Sequence, residues 1–590
     1  MNKFLKSNFE SIALFSLLTV SLVMMIYSAV GDSLIFDELA HIPAGYSYVK
    51  YFDYRLNIEH PPLIKALSGI PLLFLNLKFP LNNASWENFN QWGIGNQFIF
   101  ESGNDADRII FWARLVPIFL TLLLIFFTYL CVKDLVGKRW ALLPIFFIAL
   151  SPNILAHGHY VTTDIGVSLF IFLAIYCFSK YIIKPSLYLL IISALTFGFA
   201  QLAKFSALIL VPIFIALAIV YAFNNKQWMK LFKSTLLVFL FGYLLVYSVY
   251  FVFSLNYSAD EQVKNTEFIL GFSDLKRAET TRESCLKEDI GARLKTKCVL
   301  KKTFIQMSGN KLARPMTQYL TGAWLVFKQS TLAHHLTFFN GSICDCGRWY
   351  YFPVLFLLKE PISGLIFILS GLICGIYIFI RKVLKDGFKT FSNHIINHFT
   401  EFSFLFFIVI YGIYGIRSNL NIGVRHILPI IIPAYILATI TIKKMKINDV
   451  YKKFLIIILI VLYSFEVFIA MPYFISYFNK FGKGVWGGYN YAVDSNYDWG
   501  QDLKRLAIWT KDNNVDKIFL SYFGAGNAKY YLGNKVDFWN NDQTIIGSKD
   551  FDLFAVSAHL LKQYPEDYFW LKSIDNPDYR VGTSIFIYKF

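Results

Sequence analysis

Charge is scarce in this chain. Of its 590 residues only 16% are Asp, Glu, Lys or Arg, against 56% hydrophobic and 18% aromatic. That leaves too little polar surface to cover a soluble globule, and the mean hydropathy is positive. Acid is scarcer than base, 39 residues to 56, for a formal charge of +17. A basic excess can signal nucleic acid, so the placement of Lys and Arg has to decide what it means. Cysteine is modest at seven residues. No persuasive small-residue cleavage site follows the first apolar run, which is preceded by Lys3 and Lys6, so the run reads as an uncleaved first span. Internal repeats and low-complexity linkers are missing as well.

Long apolar runs are what the chain does have. Stretches of about 18–22 apolar residues recur, and about 20 helical residues cross a hydrocarbon core. Eleven spans are expected, near 11–30, 109–131, 140–156, 165–182, 186–203, 205–223, 234–254, 361–380, 402–416, 424–442 and 454–476. The short loops on one side carry most of the Lys and Arg, from Lys133, Lys138 and Arg139 to Lys443, Lys444, Lys452 and Lys453. Positive residues resist translocation, so the N-terminus is expected in the cytoplasm and the C-terminus outside. The basic excess is then a matter of topology, and no nucleic-acid partner is expected.

Three segments fall on the outer side, 31–108, 255–349 and 477–590. The last reads as a small α/β domain, with strand-like runs at Ile518–Phe523, Leu553–Ser557 and Ser584–Tyr588 and a helix-like run at Gln501–Asp512. The chain thus divides into a membrane domain, 1–476, and a soluble domain, 477–590. Eight of the ten His lie on the outer side, namely His41, His60, His157, His159, His334, His335, His426 and His559. Longer outer segments account for part of that excess, but not for His157, His159 and His426 at span ends.

Asp37 and Glu38 follow the first span. A carboxylate at such a mouth is costly against hydrocarbon and useful in a cavity that needs a base or a cation site. Neighbouring residues point apart, so one of the two is expected to enter the site. Capping of a helix beginning near Leu39 is the structural alternative. Two prolines after His60 restrict it to extended geometry, which would fix it at a helix mouth with Lys65 one turn in; a plain Pro-Pro turn is the structural alternative. Ser151-Pro-Asn-Ile-Leu-Ala-His157-Gly-His-Tyr-Val-Thr-Thr-Asp164 joins two spans; Thr163 or Asp164 could cap the second, and the two His with Asp164 could bind a cation or phosphate. Lys204 sits at an outer span boundary and Arg425-His426 precedes another span. Interfacial cations need an anion, which a phosphate supplies, while snorkelling to headgroups is the alternative.

Cys131, Cys177 and Cys374 fall within spans and are expected to pack. Cys285, Cys298, Cys344 and Cys346 lie outside, where one or two disulfides are expected to tie the 255–349 loop, or less plausibly a zinc ion. Asp494-Ser-Asn-Tyr-Asp-Trp-Gly-Gln-Asp502 begins like a calcium loop, but its Gly is one place late and Arg505 stands at the bidentate acid position. His394 and His398 lack a third ligand.

Asp37-Glu38 after span one, His60-Pro-Pro, Thr-Thr-Asp164 before span four and the outer Lys204 together resemble the GT-C superfamily of polyprenyl-phosphate-dependent glycosyltransferases. Within it the chain resembles protein O-mannosyltransferases and the lipid A aminoarabinose transferase. The resemblance covers nearly the whole membrane part and rests on the order and common face of the motifs. It implies an all-α polytopic GT-C fold and sugar transfer from a polyprenyl-phosphate donor to an acceptor hydroxyl with inversion, outside the bacterial inner membrane. Asp37 would be the base or acceptor-orienting carboxylate, supported by Glu38 and Asp164. His60, Lys65, His157, Lys204, Arg425 and His426 would bind substrate, and a divalent cation could sit at Asp37 and Asp164. The 494–502 segment resembles a signature of bacterial members whose acceptor is unassigned, and departs from both named kinds. A transporter and a noncatalytic assembly subunit are the competing classes.

Overall fold

Residues 8–270, 292–332, 335–386, 389–539, 553–573 and 576–590 are described by the structure, a computed structural model. Apolar runs fold as helices because a bilayer leaves a backbone no other way to satisfy its own hydrogen bonds. In chain order the helices that concern the site are α1 Phe9–Gly31, α2 Glu38–Tyr51, α3 Leu63–Gly69, α4 Ala106–Val136, α5 Lys138–Ala149, α6 Pro152–His157, α7 Asp164–Ile183 and α8 Leu187–Ala203. They continue as α9 Leu210–Asn225, α10 Trp228–Phe253, α11 Ile362–Asp386, α12 Phe399–Arg417, α13 Leu428–Lys444, α14 Asp449–Ala470 and α15 Leu503–Asp512. The chain is an integral multi-pass membrane protein. Among the described residues nine helical segments are long and apolar enough to cross a membrane: α1, α4, α7, α10, α11, α12 and α14, with α9 and α13 each counted together with the short turn that leads into it, from Phe205 and from Val424.

Two expected spans take a different form. At 186–203 the helix has 17 residues. At 140–156 the chain makes two shorter helices, α5 and α6, because Ser151 leaves the helical path and its hydroxyl accepts from the Ile154 amide, starting a new helix at Pro152. The expected span at 454–476 also stops early, at Ala470, and 471–476 is irregular. Gly137, at φ +79°, turns α4 into α5, a conformation that a side chain would oppose. Inside the bundle the Phe147 and Tyr435 rings stack at 5.0 Å, and the Tyr463 hydroxyl donates to the Phe147 carbonyl at 2.9 Å.

Outside the bundle, Thr337–Phe339 (β1) and Ser342–Cys344 (β2) form a hairpin, and Cys344 is bridged to Cys346. That bond closes a tight ring rather than tying the loop together; Cys285, His334 and the side chain of Cys298 lie outside the described residues. The C-terminal domain is a five-stranded mixed sheet in the order β4-β3-β5-β7-β6, from β3 Ile518–Ser521, β4 Val536–Phe538, β5 Leu553–Ser557, β6 Tyr579–Val581 and β7 Ile585–Lys589. The expected strands and helix are present. The short strands β4, β6 and the β1–β2 hairpin have too few residues to show alternation.

The domain is locked to the bundle by charge. Arg505 on α15 contacts Asp32 at 2.7 Å and Asp502 at 2.5 Å, both carboxylates buried. Asp32 also accepts from the Tyr160 hydroxyl at 2.6 Å and faces His159 at 3.2 Å. Burial opposes its ionisation, but the Arg505 guanidinium and His159 hold its carboxyl below the usual range. Replacing Arg505 with Met leaves two buried carboxylates without their cation, at a cost of about 3–5 kcal/mol. Faster protease nicking between residues 477 and 502 is the expected result; an unchanged digestion pattern would deny the lock any role.

Candidate active site

Four charged side chains from four separate parts of the chain converge at one end of the bundle. Asp37 occupies the position before α2, yet its carboxylate caps nothing there. It reaches instead to Arg425, Oδ2 to Nη1 at 2.5 Å. Asp164 opens α7, and neither it nor Thr163 makes a side-chain cap. Its Oδ1 accepts from Lys204 Nζ at 2.6 Å, and its Oδ2 stands 3.9 Å from the same Arg425 Nη1. One guanidinium nitrogen therefore lies between the two carboxylates. Asp164 and Arg425 are buried, and Lys204 is mostly so.

Local structure explains each placement. Helix α8 ends where Lys204 turns extended, aiming its side chain back toward the mouth of α7. Arg425 sits in the tight turn Val424–Ile427 that starts α13. The indole of Trp499 lies under it, 4.3 Å from the guanidinium carbon, a cation–π contact in a dry setting.

The arrangement leaves hydrogen-bonding capacity unused. Asp164 Oδ2, Arg425 Nε, both nitrogens of His157, His426 Nε2 and His60 Nδ1 are buried with no hydrogen-bond partner among the described residues. Such a concentration of unmet polar atoms fits a place built to receive a polar ligand. His157 ends α6, its ring edge-on to Trp499 at 6.0 Å. The His60 ring stands edge-on to His41 at 5.1 Å, and burial holds it well below the usual imidazole range, hence neutral.

Glu38 and Lys65 do not reach this cluster. Glu38 turns the opposite way from Asp37, as adjacent residues must, and is gripped by Arg114 at 2.9 and 2.7 Å. It also accepts from the Ile35 and Val161 amides. Lys65 points back to four oxygens at 2.6–3.0 Å, from Asn57, His60 and Tyr48, and so pins the turn that carries His60.

Sequence reasoning passes over two supports of the site. Arg114 lies inside an apolar helix, although a lone Arg in a span is itself a signal. The 494–502 segment fails as a calcium loop and resembles a signature of bacterial members, but neither reading says that it is the frame of the site. The Ser495 hydroxyl donates to the Ile422 carbonyl at 2.7 Å and Asn496 accepts from the Val424 amide at 2.9 Å, fixing the turn of Arg425. Residues 499–501 pair with 33–36 through Phe36 N to Trp499 O and Ser33 N to Gln501 O, fixing the approach to Asp37. Asp498, pushed up to about 7 by burial, accepts from the His559 amide, and Asp502 takes the Thr583 and Ser584 amides.

No group of three or more His, Cys, Asp or Glu is gathered for a metal among the described residues. Between Asp37 and Asp164 the positive charge comes from Arg425 itself.

A family model described as dolichyl-phosphate-mannose-protein mannosyltransferase matches residues 106–253. That stretch holds Arg114, His157, Asp164 and Lys204, while Asp37 and Arg425 fall outside it. No curated protein matches the chain in sequence. Among solved structures it is similar to ArnT from Cupriavidus metallidurans bound to undecaprenyl phosphate, at 10% identity over 98% of this chain and 97% of that one, TM-score 0.44. It is similar to the Archaeoglobus fulgidus oligosaccharyltransferase in the apo form, at 13% identity over 93% and 70% of the two chains, TM-score 0.47. A third likeness, to the S. cerevisiae protein O-mannosyltransferase Pmt1-Pmt2 complex bound to the sugar donor, covers 41% of this chain and 33% of that one at 20% identity, TM-score 0.31. The family match is a likeness of the 106–253 stretch, about a quarter of the chain.

Proposed function

We propose that this chain is a glycosyltransferase that moves a sugar from a polyprenyl-phosphate donor to an acceptor hydroxyl, on the extracytoplasmic side of the membrane. The observation that carries this reading is the meeting of Asp37, Asp164, Lys204 and Arg425 at one bundle end, with donors left over. Lys204 spends one N–H on Asp164, and Arg425 keeps a buried, unpartnered Nε. Those donors suit a phosphate, whose charge grows as it leaves the sugar. The two carboxylates hold the cations in place while the site is empty, so little reorganisation is needed when the donor arrives.

In the reaction the acceptor oxygen attacks the anomeric carbon and the bond to phosphate breaks on the opposite face. Inversion follows from a single displacement. Asp37, partly exposed beside Arg425, orients the acceptor. The positive charge of Lys204 and Arg425 meets the departing lipid phosphate, and the unpartnered ring nitrogens of His157 and His426 offer further contacts to it. A divalent cation has no dedicated ligand set among the described residues, and no step here requires one.

The decisive experiment supplies the purified protein with radiolabelled polyprenyl-phosphate sugars and follows label into an acceptor. Only an enzyme makes that bond; a transporter or an assembly subunit leaves all label on the lipid. Lys204→Ala is expected to lower kcat/KM for the donor roughly 10²-fold. Wild-type kinetics in that variant would remove Lys204 from the phosphate site.

A further inference from the structure

Asp494 opens the short turn Asp494–Asn496 and adopts φ +58°, a left-handed conformation that Asp tolerates better than most residues. The turn packs on the one that carries Arg425, through the Ser495 and Asn496 hydrogen bonds already described. Asp494 is only half-buried. Its Oδ1 accepts from the Ser495 amide at 2.5 Å, and the Ser495 side chain also bears on the carboxylate.

Three carboxylates thus surround Arg425, and they are not alike. Asp37 is ion-paired at 2.5 Å and Asp164 is held by Lys204 at 2.6 Å. Asp494 alone of the three has no cation within ion-pair distance among the described residues; its hydrogen bonds come from neutral Ser495. A base has to accept a proton, and a carboxylate clamped by a cation does that poorly.

We propose that Asp494 is a further catalytic residue, the base that takes the proton from the acceptor hydroxyl. The inference rests on the glycosyltransferase reading above. As the acceptor O–H bond breaks, its proton passes to Asp494 Oδ2 and its electron pair forms the bond to the anomeric carbon. The electrons of the broken sugar–phosphate bond leave on the lipid phosphate. Asp494 then returns its proton to water. Asp37 and Asp164 keep the acceptor and the two cations in position.

The surroundings support that role. Burial pushes the Asp494 carboxyl up to about 6, with Arg425 pulling it down and Asp37 pushing it up. The other titratable groups nearby are the Tyr351 hydroxyl, which senses both Asp494 and Arg425, and His426 on the Arg425 turn. A base with this poise is ionised at neutral pH and loses activity as the pH falls through about 6.

The test uses the full-length protein with a panel of polyprenyl-phosphate hexoses and pentoses, and measures kcat, donor KM and pH profile. Asp494→Asn is expected to lower kcat by about 10²–10⁴ with donor KM within threefold, and its residual rate should lack the acid limb. Asp494→Glu should restore part of kcat together with a displaced acid limb, a rescue that a merely structural role would not give. If wild type transfers sugar and Asp494→Asn keeps its kcat, the base assignment falls and the glycosyltransferase reading survives. An Asp494→Glu protein that folds and shows the wild-type limb unmoved would also overturn it. If wild type transfers nothing from any donor, the reading falls and takes the base with it.

Discussion

An Asp37→Asn protein is expected to insert and melt like wild type while losing about 10²–10³ of its sugar-transfer rate. The substitution keeps shape and one hydrogen-bonding oxygen, and Asp37 is partly exposed, so little stability is at stake. What it removes is charge from a fixed pair. With Asp37 neutral, Arg425 is left with Asp164 at 3.9 Å and gains freedom to swing. Positioning errors of an ångström at a reacting centre cost that much. The measurement is initial-rate transfer alongside thermal unfolding in the same detergent. Unchanged turnover would take Asp37 out of the mechanism.

Arg114→Met should act on the fold instead. The guanidinium is fully buried; besides gripping Glu38 it donates to the carbonyls of Ala29, Asp32 and Ser33. Its removal strands a buried carboxylate and three carbonyls at once, for a loss of about 3–5 kcal/mol or more. Most of the protein should fail to accumulate, since a typical margin of stability is about 5–15 kcal/mol. The double variant Arg114→Met with Glu38→Met should recover part of the loss, because no buried charge is then left alone. Equal melting temperatures for the single and double variants would contradict this account of the pair.

Those two variants also mark how far the sequence could be read. Asp37, Asp164, Lys204 and Arg425 were legible because each is an ionisable group at the mouth of an apolar run, where only a site or a cap accounts for it. The cap could be struck off only once the coordinates showed that neither acid makes one. Glu38 and Lys65 carry the same signature but spend it on structure, and nothing local distinguishes a carboxylate facing a cavity from one facing Arg114, 76 residues away. Trp499 lies in the 494–502 signature, but nothing marks it out from the other tryptophans, 12 in all, as the platform for Arg425. The 494–502 segment failed as a calcium loop for correct reasons; its polar residues answer to 33–36, 422–424 and 583–584, contacts that no local pattern encodes.

The pairing of 33–36 with 499–501 bears on how such a protein can be re-engineered. The backbone leading to Asp37 is templated by a stretch more than 460 positions later, so the C-terminal part is no detachable lid. A chimaera that exchanges everything after residue 476 would import a foreign template for its own first loop. Specificity grafts of this kind should work only when the two distant segments travel together.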